Sequence, residues 1–143
     1  MAQIIRDITE ITRCSTQYRS QKLAPMGLKS CHASYLVEIC AHPGISQDQL
    51  ARRICINKSN VARQAAALEE DGFLSRVPCQ DDKRVLRLYP TEKTEAILPR
   101  LLQIQCCWEN CITKDLTEEE KTILETLLLR VKARASAWMD SEA

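Results

Sequence analysis

Lys58, Ser59, Asn60, Arg63 and Gln64 fall on one side of the stretch Asn57–Leu74, NKSNVARQAAALEEDGFL. Together they offer ammonium, hydroxyl, carboxamide and guanidinium groups within two helical turns, with no acidic group before Glu69. Groups of this kind on one helix face can enter a DNA major groove and hydrogen-bond base edges. The plain alternative is a wetted amphipathic helix, because polar helix faces are usually solvated. A second charged cluster is Asp82-Lys83-Arg84, and eight cysteines (14, 31, 40, 55, 79, 106, 107 and 111) supply soft, oxidisable groups.

The elements that would position these groups are legible from periodicity. Val61, Ala65 and Leu68 make an apolar stripe at i, i+4 and i+7, so the first five residues belong to a helix seated on its other face. Asn57 can accept a hydrogen bond from a free first-turn amide, and Gly72 can take the left-handed conformation that ends a helix. Upstream, Ser46 caps a short helix with Asp48 in its first turn and Leu50, Ala51 and Ile54 as its buried face. Only Cys55-Ile56 separates the two helices, which is a helix-turn-helix pattern. After Gly72 the period changes to two. FLSRV and VLRLY read as strands over 73–77 and 85–89, joined by the polar turn PCQDDKR. A hairpin in that place is a wing, and no other pair of β runs exists in the chain.

Flanking helices complete the pattern. Ile4, Ile5, Ile8 and Ile11 recur at helical spacing over residues 3 to about 20, and Pro25 with Gly27 breaks the chain. Ser30 caps a helix over 31–41 whose Tyr35, Leu36, Ile39 and Cys40 face inward, and His42-Pro43-Gly44 stops it. Thr91 caps a helix over 92–112 with Ile97, Leu101, Leu102, Ile104 and Trp108 on its apolar face and Pro99 as a kink. Thr117 and Glu120 form a capping box for a last helix reaching about residue 139, with Lys132 and Arg134 near its C-terminal end. The first and last helices are apolar beyond what a winged module needs. A homodimer covers those faces economically; an intrachain bundle is the alternative. The expected organisation is mainly α with a small β-hairpin wing. Residues 28–90 form the winged helix-turn-helix DNA-binding domain, and 1–27 and 91–143 the dimerisation helices.

Composition bounds the function classes. Residues 1–43 carry 5 basic and 3 acidic groups, residues 44–90 carry 8 and 6, and residues 91–143 carry 7 and 10. Any nucleic-acid contact must therefore use local basic clusters rather than a global field. MAQIIRDITEIT lacks an apolar signal core and no run of eighteen apolar residues exists, so a cytoplasmic, non-membrane protein with reduced thiols is expected. Enzyme chemistry finds little support: there are two His, no Ser-His-Asp pattern, no Gly-rich phosphate loop and no paired carboxylates. Cys31 and His32, the one Cys–His pair, are sequence neighbours on a helix and face apart.

LARRICINKSNVARQAAALEEDGFLSR and DKRVLRLYPTEK resemble the multiple-antibiotic-resistance regulator (MarR) family of winged-helix transcription factors. The family's Asp-x-Arg wing signature stands as Asp82-Lys83-Arg84, followed by Thr91, and Leu68-Glu69 and Gly72 match its Leu-Glu and Gly. Pro90 stands where the family commonly has Leu, Thr94 where it often has Gly, and His32 where it often has Gln. The resemblance implies a homodimeric winged helix-turn-helix repressor or activator with Asn57–Asp71 as recognition helix and the first and last two helices as dimer interface. Its partner would be a pseudo-palindromic DNA operator with half-sites about one helical turn (~34–36 Å) apart.

Roles follow for individual residues. Ser59, Asn60, Arg63 and Gln64 reach base edges, with Arg63 suited to guanine and Asn60 or Gln64 to adenine or phosphate; Lys58 suits phosphate. Arg84 would enter the minor groove with Asp82 holding its guanidinium, a surface salt bridge being the alternative. Arg52, Arg53, Arg76 and Lys83 are candidate backbone contacts. Cys14, Cys79, Cys106, Cys107 and Cys111 are candidate sensors of oxidants, electrophiles or a metal such as zinc or copper(I). Cys107 and Cys111, one turn apart, are the pair able to hold a soft metal. Buried cysteine acting as a small hydrophobe is the alternative. No cofactor is required. Tyr18, Tyr35, Met26, His32 and Trp108 are candidates for a cleft taking a small phenolic or anionic effector, although core packing suits each of them better. A protein-binding winged-helix module is the rival of another class.

Overall fold

The structure, a computed structural model, describes residues 2–142. The described elements run α1 (Gln3–Leu23), a 3-10 turn (Ala24–Met26), α2 (His32–Ala41), β1 (Ile45–Ser46), α3 (Gln47–Ile54), α4 (Lys58–Glu70), β2 (Leu74–Pro78), β3 (Leu86–Pro90), α5 (Glu92–Ile112) and α6 (Glu118–Glu142). Residues up to Cys106 form one compact unit and residues from Cys107 a second.

The first unit is a winged helix-turn-helix. Leu36 and Ile39 of α2, Leu50 of α3, Val61, Ala65 and Leu68 of α4, and Leu74 and Leu88 of the strands bury together, each with at most 2% of its surface exposed. Each such leucine, isoleucine or valine side chain contributes roughly 1.5–3 kcal/mol relative to an exposed one. Leu23 of α1 and Leu101 and Ile104 of α5 join the same core. The compact unit thus extends beyond residues 28–90 on both sides, with Leu23, Leu101 and Ile104 in its core.

The sheet has three strands in the order β1-β3-β2, all antiparallel. Ile45 pairs with Leu88 and Ser46 with Arg87, while on the other edge Arg76 pairs with Leu88 and Val77 with Arg87. The sequence pointed to a hairpin alone, since a two-residue strand leaves no period to read. Both hairpin strands lie one residue later than expected, each ending on a proline, Pro78 and Pro90. A strand terminus tolerates the missing amide.

Local chemistry sets the junctions. Ser46 accepts from the Gln49 amide and Gln49 returns the bond to the Ser46 backbone, a complete capping box. Cys55 makes the tight turn between α3 and α4 in the left-handed region, φ 56 and ψ 45. Asn57 caps α4 by accepting from the Asn60 amide at 2.8 Å, and Gly72, at φ +82, turns the chain into the wing. Gly44 has φ +90, its amide donates to the Leu88 carbonyl, and a Cβ there would meet the Tyr89 hydroxyl at 3.3 Å.

One expected cap is corrected. Ser30 does not cap α2; the helix begins after Cys31 with no side-chain cap, and the His32 ring instead accepts the Lys29 amide at 3.0 Å. Thr91 stands at the start of α5, its carbonyl accepting from the Glu95 amide at 3.0 Å, while its hydroxyl donates to the Gly72 carbonyl at 2.7 Å and ties the helix start to the turn behind α4. Thr94, fully buried, donates to the Phe73 carbonyl. Helix α5 runs through Pro99.

In the second unit, Thr117 and Glu120 form the expected capping box. Those bonds hold the Glu120 carboxyl below its ordinary pKa. Helix α6 extends to Glu142, beyond the expected 139, which leaves Lys132 and Arg134 inside the helix and no basic residue in its last turn. None of its described residues is buried. No described helix is long and apolar enough to cross a membrane.

Candidate nucleic-acid interface

The recognition surface starts at the N-terminus of α4. The Asn57 side chain organises it, accepting from both the Asn60 amide (2.8 Å) and the Ser59 hydroxyl (2.9 Å). Ser59 and Arg63 are exposed and Asn60 half-exposed, one turn apart on the face opposite Val61, Ala65 and Leu68. The Asn60 carbonyl oxygen accepts from the Arg63 guanidinium at 3.5 Å, a long contact that a base edge can replace. Lys58 sits 3.5 Å from Asp48, both well exposed. Such a pair is worth little and yields readily to a phosphate. The sequence-predicted cluster of Lys58, Ser59, Asn60 and Arg63 is thus assembled on one helix end, where the dipole adds partial positive charge.

Gln64 differs from its neighbours. It is only half-exposed, and its Oε1 lies 2.9 Å from Nε2 of the buried His32. Periodicity could not have shown this, because His32 lies on α2, 32 residues away.

The wing carries a preformed guanidinium. Asp82 Oδ1 accepts from the Arg84 amide at 3.0 Å and from Arg84 Nε at 3.1 Å, and Oδ2 accepts from Nη2 at 3.4 Å. The Arg84 side chain is 91% exposed, yet its orientation is set by these three bonds. They also hold the Asp82 carboxyl below the usual carboxylate pKa, with the Arg84 side chain the leading cause. A long cation fixed on an exposed turn has lost rotamer entropy in advance, which favours binding to a narrow polyanionic groove. Lys83, beside it, is exposed.

Arg76 is engaged within the fold. Glu69 accepts its backbone amide at 2.8 Å and its Nε–H at 3.1 Å, and the Arg76 side chain is 25% exposed. It clamps the wing to α4. Arg53 pairs with Glu38 at 2.8 Å; with Arg52 and His42 it lines an open groove over Gly44 and Ile45.

All eight cysteines are thiols, without a disulfide. Cys14, Cys55, Cys106, Cys107 and Cys111 are exposed, and Cys31, Cys40 and Cys79 half-exposed. Burial raises the pKa of Cys40. Cys79, just beyond β2, is the opposite case: the hydrogen-bonding influence of the Asp81 and Asp82 backbone, and then of Arg87, lowers its pKa. Arg87 donates to the Gly44 carbonyl at 3.0 Å, which ties β3 to the turn before β1. Among the described residues no group of three or more His, Cys, Asp or Glu is placed to hold a metal.

The cleft candidates are dispersed. Tyr35 is fully buried with its hydroxyl unpaired, and His32 is 3% exposed, its ring edge-on to Tyr35. Tyr18 and Met26 pack partly buried against the same core, and Trp108 belongs to the second unit. None of them lines the open groove at His42 to Arg53.

Known proteins place this fold. Residues 30–86 match the MarR family. The chain is 31% identical over 132 residues to the uncharacterized HTH-type transcriptional regulator YybA of Bacillus subtilis (strain 168), covering 92% of this chain and 88% of the relative. It superposes on the crystal structure of the transcriptional regulator SlyA with a TM-score of 0.94 at 27% identity, over 98% of this chain and 99% of that one. A MarR family regulator from Listeria monocytogenes, solved in complex with 26mer DNA, matches with a TM-score of 0.90 at 27% identity, over 96% of this chain and 91% of that one. These relatives are transcription regulators and not enzymes, and this chain belongs to the MarR family of DNA-binding, winged helix-turn-helix transcription regulators.

Proposed function

We propose that the chain is a homodimeric repressor that reads a pseudo-palindromic DNA operator and releases it when the Cys79 thiol is modified. The observation that carries the DNA half is the Asp82–Arg84 pair. A carboxylate beside a polyanion site is unfavourable unless it positions a cation, and Asp82 directs three of the wing's hydrogen bonds to Arg84. Two copies of α4 would enter successive major grooves, with Arg63 and Asn60 at base edges and Arg84 in the flanking minor groove. The complex of the Listeria monocytogenes relative with DNA supports this reading.

The dimer rests on uncovered apolar surface. Ile4, Ile5, Ile8 and Ile11 of α1 are 38–70% exposed, and Ile123, Leu124, Leu127, Leu128 and Trp138 of α6 are 37–62% exposed. Surface of this kind in quantity marks an interface, and a second copy offers the matching faces.

The switch rests on Cys79. A cysteine whose pKa is lowered by the neighbouring Asp81 and Asp82 backbone and Arg87 offers more thiolate, the nucleophile that attacks a hydroperoxide. The S–O bond forms as the O–O bond breaks; sulfur loses two electrons to give a sulfenic acid, and the alkoxide or hydroxide leaves. Loss of the negative sulfur weakens its attraction to the Asp81 and Asp82 amides, and with it the turn that aims Arg84. A metal effector is the second arm. Cys107 and Cys111, exposed and one turn apart, offer two thiolates, a set that suits copper(I) better than tetrahedral zinc.

The test is DNA binding by reduced, peroxide-treated and copper(I)-loaded protein, wild type and Cys79→Ser. Salt-dependent binding that peroxide abolishes in wild type alone is the expected result. Equal loss in Cys79→Ser overturns the switch, and absence of salt-dependent DNA binding overturns the regulator reading in favour of a protein-binding module.

A further inference from the structure

The carboxamide of Gln64 on α4 is held from behind by a buried imidazole, and the protons in that contact run in one direction. His32 Nδ1 lies 3.0 Å from the Lys29 backbone nitrogen. A backbone N–H only donates, so Nδ1 carries the lone pair. Burial lowers the His32 pKa from 6.5, which leaves the ring neutral at pH 7. A neutral imidazole with an acceptor at Nδ1 has its single proton on Nε2. Nε2 sits 2.9 Å from the Gln64 amide, and the atom facing that proton must be Oε1. The amide orientation is thus fixed by chemistry: carbonyl inward, NH2 outward. The ring itself is 3% exposed and packed edge-on to Tyr35, centroids 6.5 Å apart and planes at 80°, so it does not turn over.

We infer that His32 is a specificity-determining positioning residue, which locks Gln64 to present an N–H donor, and not a carbonyl, to the DNA groove. The inference rests on α4 being the DNA-reading helix. A locked donor accepts only a base edge that offers an acceptor opposite it, such as purine N7, guanine O6 or thymine O4, and rejects the amino group of cytosine or adenine. An unlocked glutamine turns its amide over and meets either kind of edge. His32, being buried, touches no DNA; it acts through Gln64 alone.

The experiment is selection from a pool of randomised duplexes by the full chain, wild type and three variants. Wild type enriches a two-fold-related motif. His32→Leu relaxes discrimination at one base-pair position per half-site by about tenfold, leaving the other positions and the salt dependence unchanged. His32→Gln, whose amide can again donate to Gln64, restores that position. Gln64→Glu keeps the acceptor for His32 but has no donor, and moves the preference there to cytosine. An unchanged motif in a folded His32→Leu overturns the inference. Imidazole nitrogen NMR on the wild type decides even where His32→Leu does not fold: a proton on Nε2 supports the lock, and a proton on Nδ1 overturns it. A wild type that enriches no motif overturns the DNA-reading role of α4 itself.

Discussion

Glu69 grips Arg76 with both carboxylate oxygens, one on the backbone amide at 2.8 Å and one on Nε at 3.1 Å. This contact joins the last turn of α4 to the first wing strand. Helix and wing can therefore meet DNA as one rigid piece, and the sharp turn at Gly72 is held from both sides.

Removing that grip should loosen the wing without unfolding the core. Hydrogen bonds to charged groups are worth roughly 1.5–3 kcal/mol, less where solvent screens them, and Glu69 is 37% exposed. Glu69→Ala is expected to cost about 1 kcal/mol, a few degrees in thermal unfolding, and to weaken DNA binding at all sequences alike. Unchanged affinity in the variant would dismiss the coupling.

At the wing, Asp82 and Arg84 make opposite electrostatic predictions. Arg84→Ala should weaken DNA binding and reduce the salt slope by about one. Asp82→Ala removes a negative charge, which alone would strengthen binding to a polyanion. If Asp82 aims Arg84, affinity falls instead. Titrations at several salt concentrations separate the two, and tighter binding by Asp82→Ala would sink the positioning role.

The Cys79 thiol should show its environment in its pH profile. Its pKa is lowered by the Asp81 and Asp82 amides and Arg87, so its thiolate, and hence its alkylation rate, persists to lower pH than that of an unperturbed cysteine. The advantage disappears as pH falls through the lowered pKa. Site-resolved alkylation between pH 6 and 9 measures it (roughly bracketing ordinary thiol titration). Arg87→Leu should move the midpoint upward.

Capping gives a stability check independent of DNA. Asn57→Ala removes the acceptor for the Asn60 amide and should cost about 1 kcal/mol in denaturant unfolding. Asn57→Ser, which retains an acceptor, should recover most of it.

The apolar face of α6 predicts assembly. Leu127→Glu with Leu128→Glu should give a monomer by sedimentation and abolish operator binding, while leaving the α4 core folded by circular dichroism. A variant that remains dimeric would place the interface elsewhere.

Most elements were legible in the chain, because their causes are local. Asn57 and Gly72 bound α4, the stripe Val61, Ala65 and Leu68 seats it, and the switch to period two announces the wing. The cationic end of α4 and the Asp82-Lys83-Arg84 turn were legible for the same reason: their residues are near neighbours. What tertiary structure alone decided involves partners far apart in sequence. Leu88 recruits Ile45 as a third strand, Glu69 ties Arg76 and the wing to α4, and the Thr91 hydroxyl reaches the Gly72 carbonyl. Above all, His32 reaches Gln64 across 32 residues. Periodicity reports which face of an element is buried, but which side chain meets which across that face is set by packing, and there the orientation of the Gln64 amide was determined.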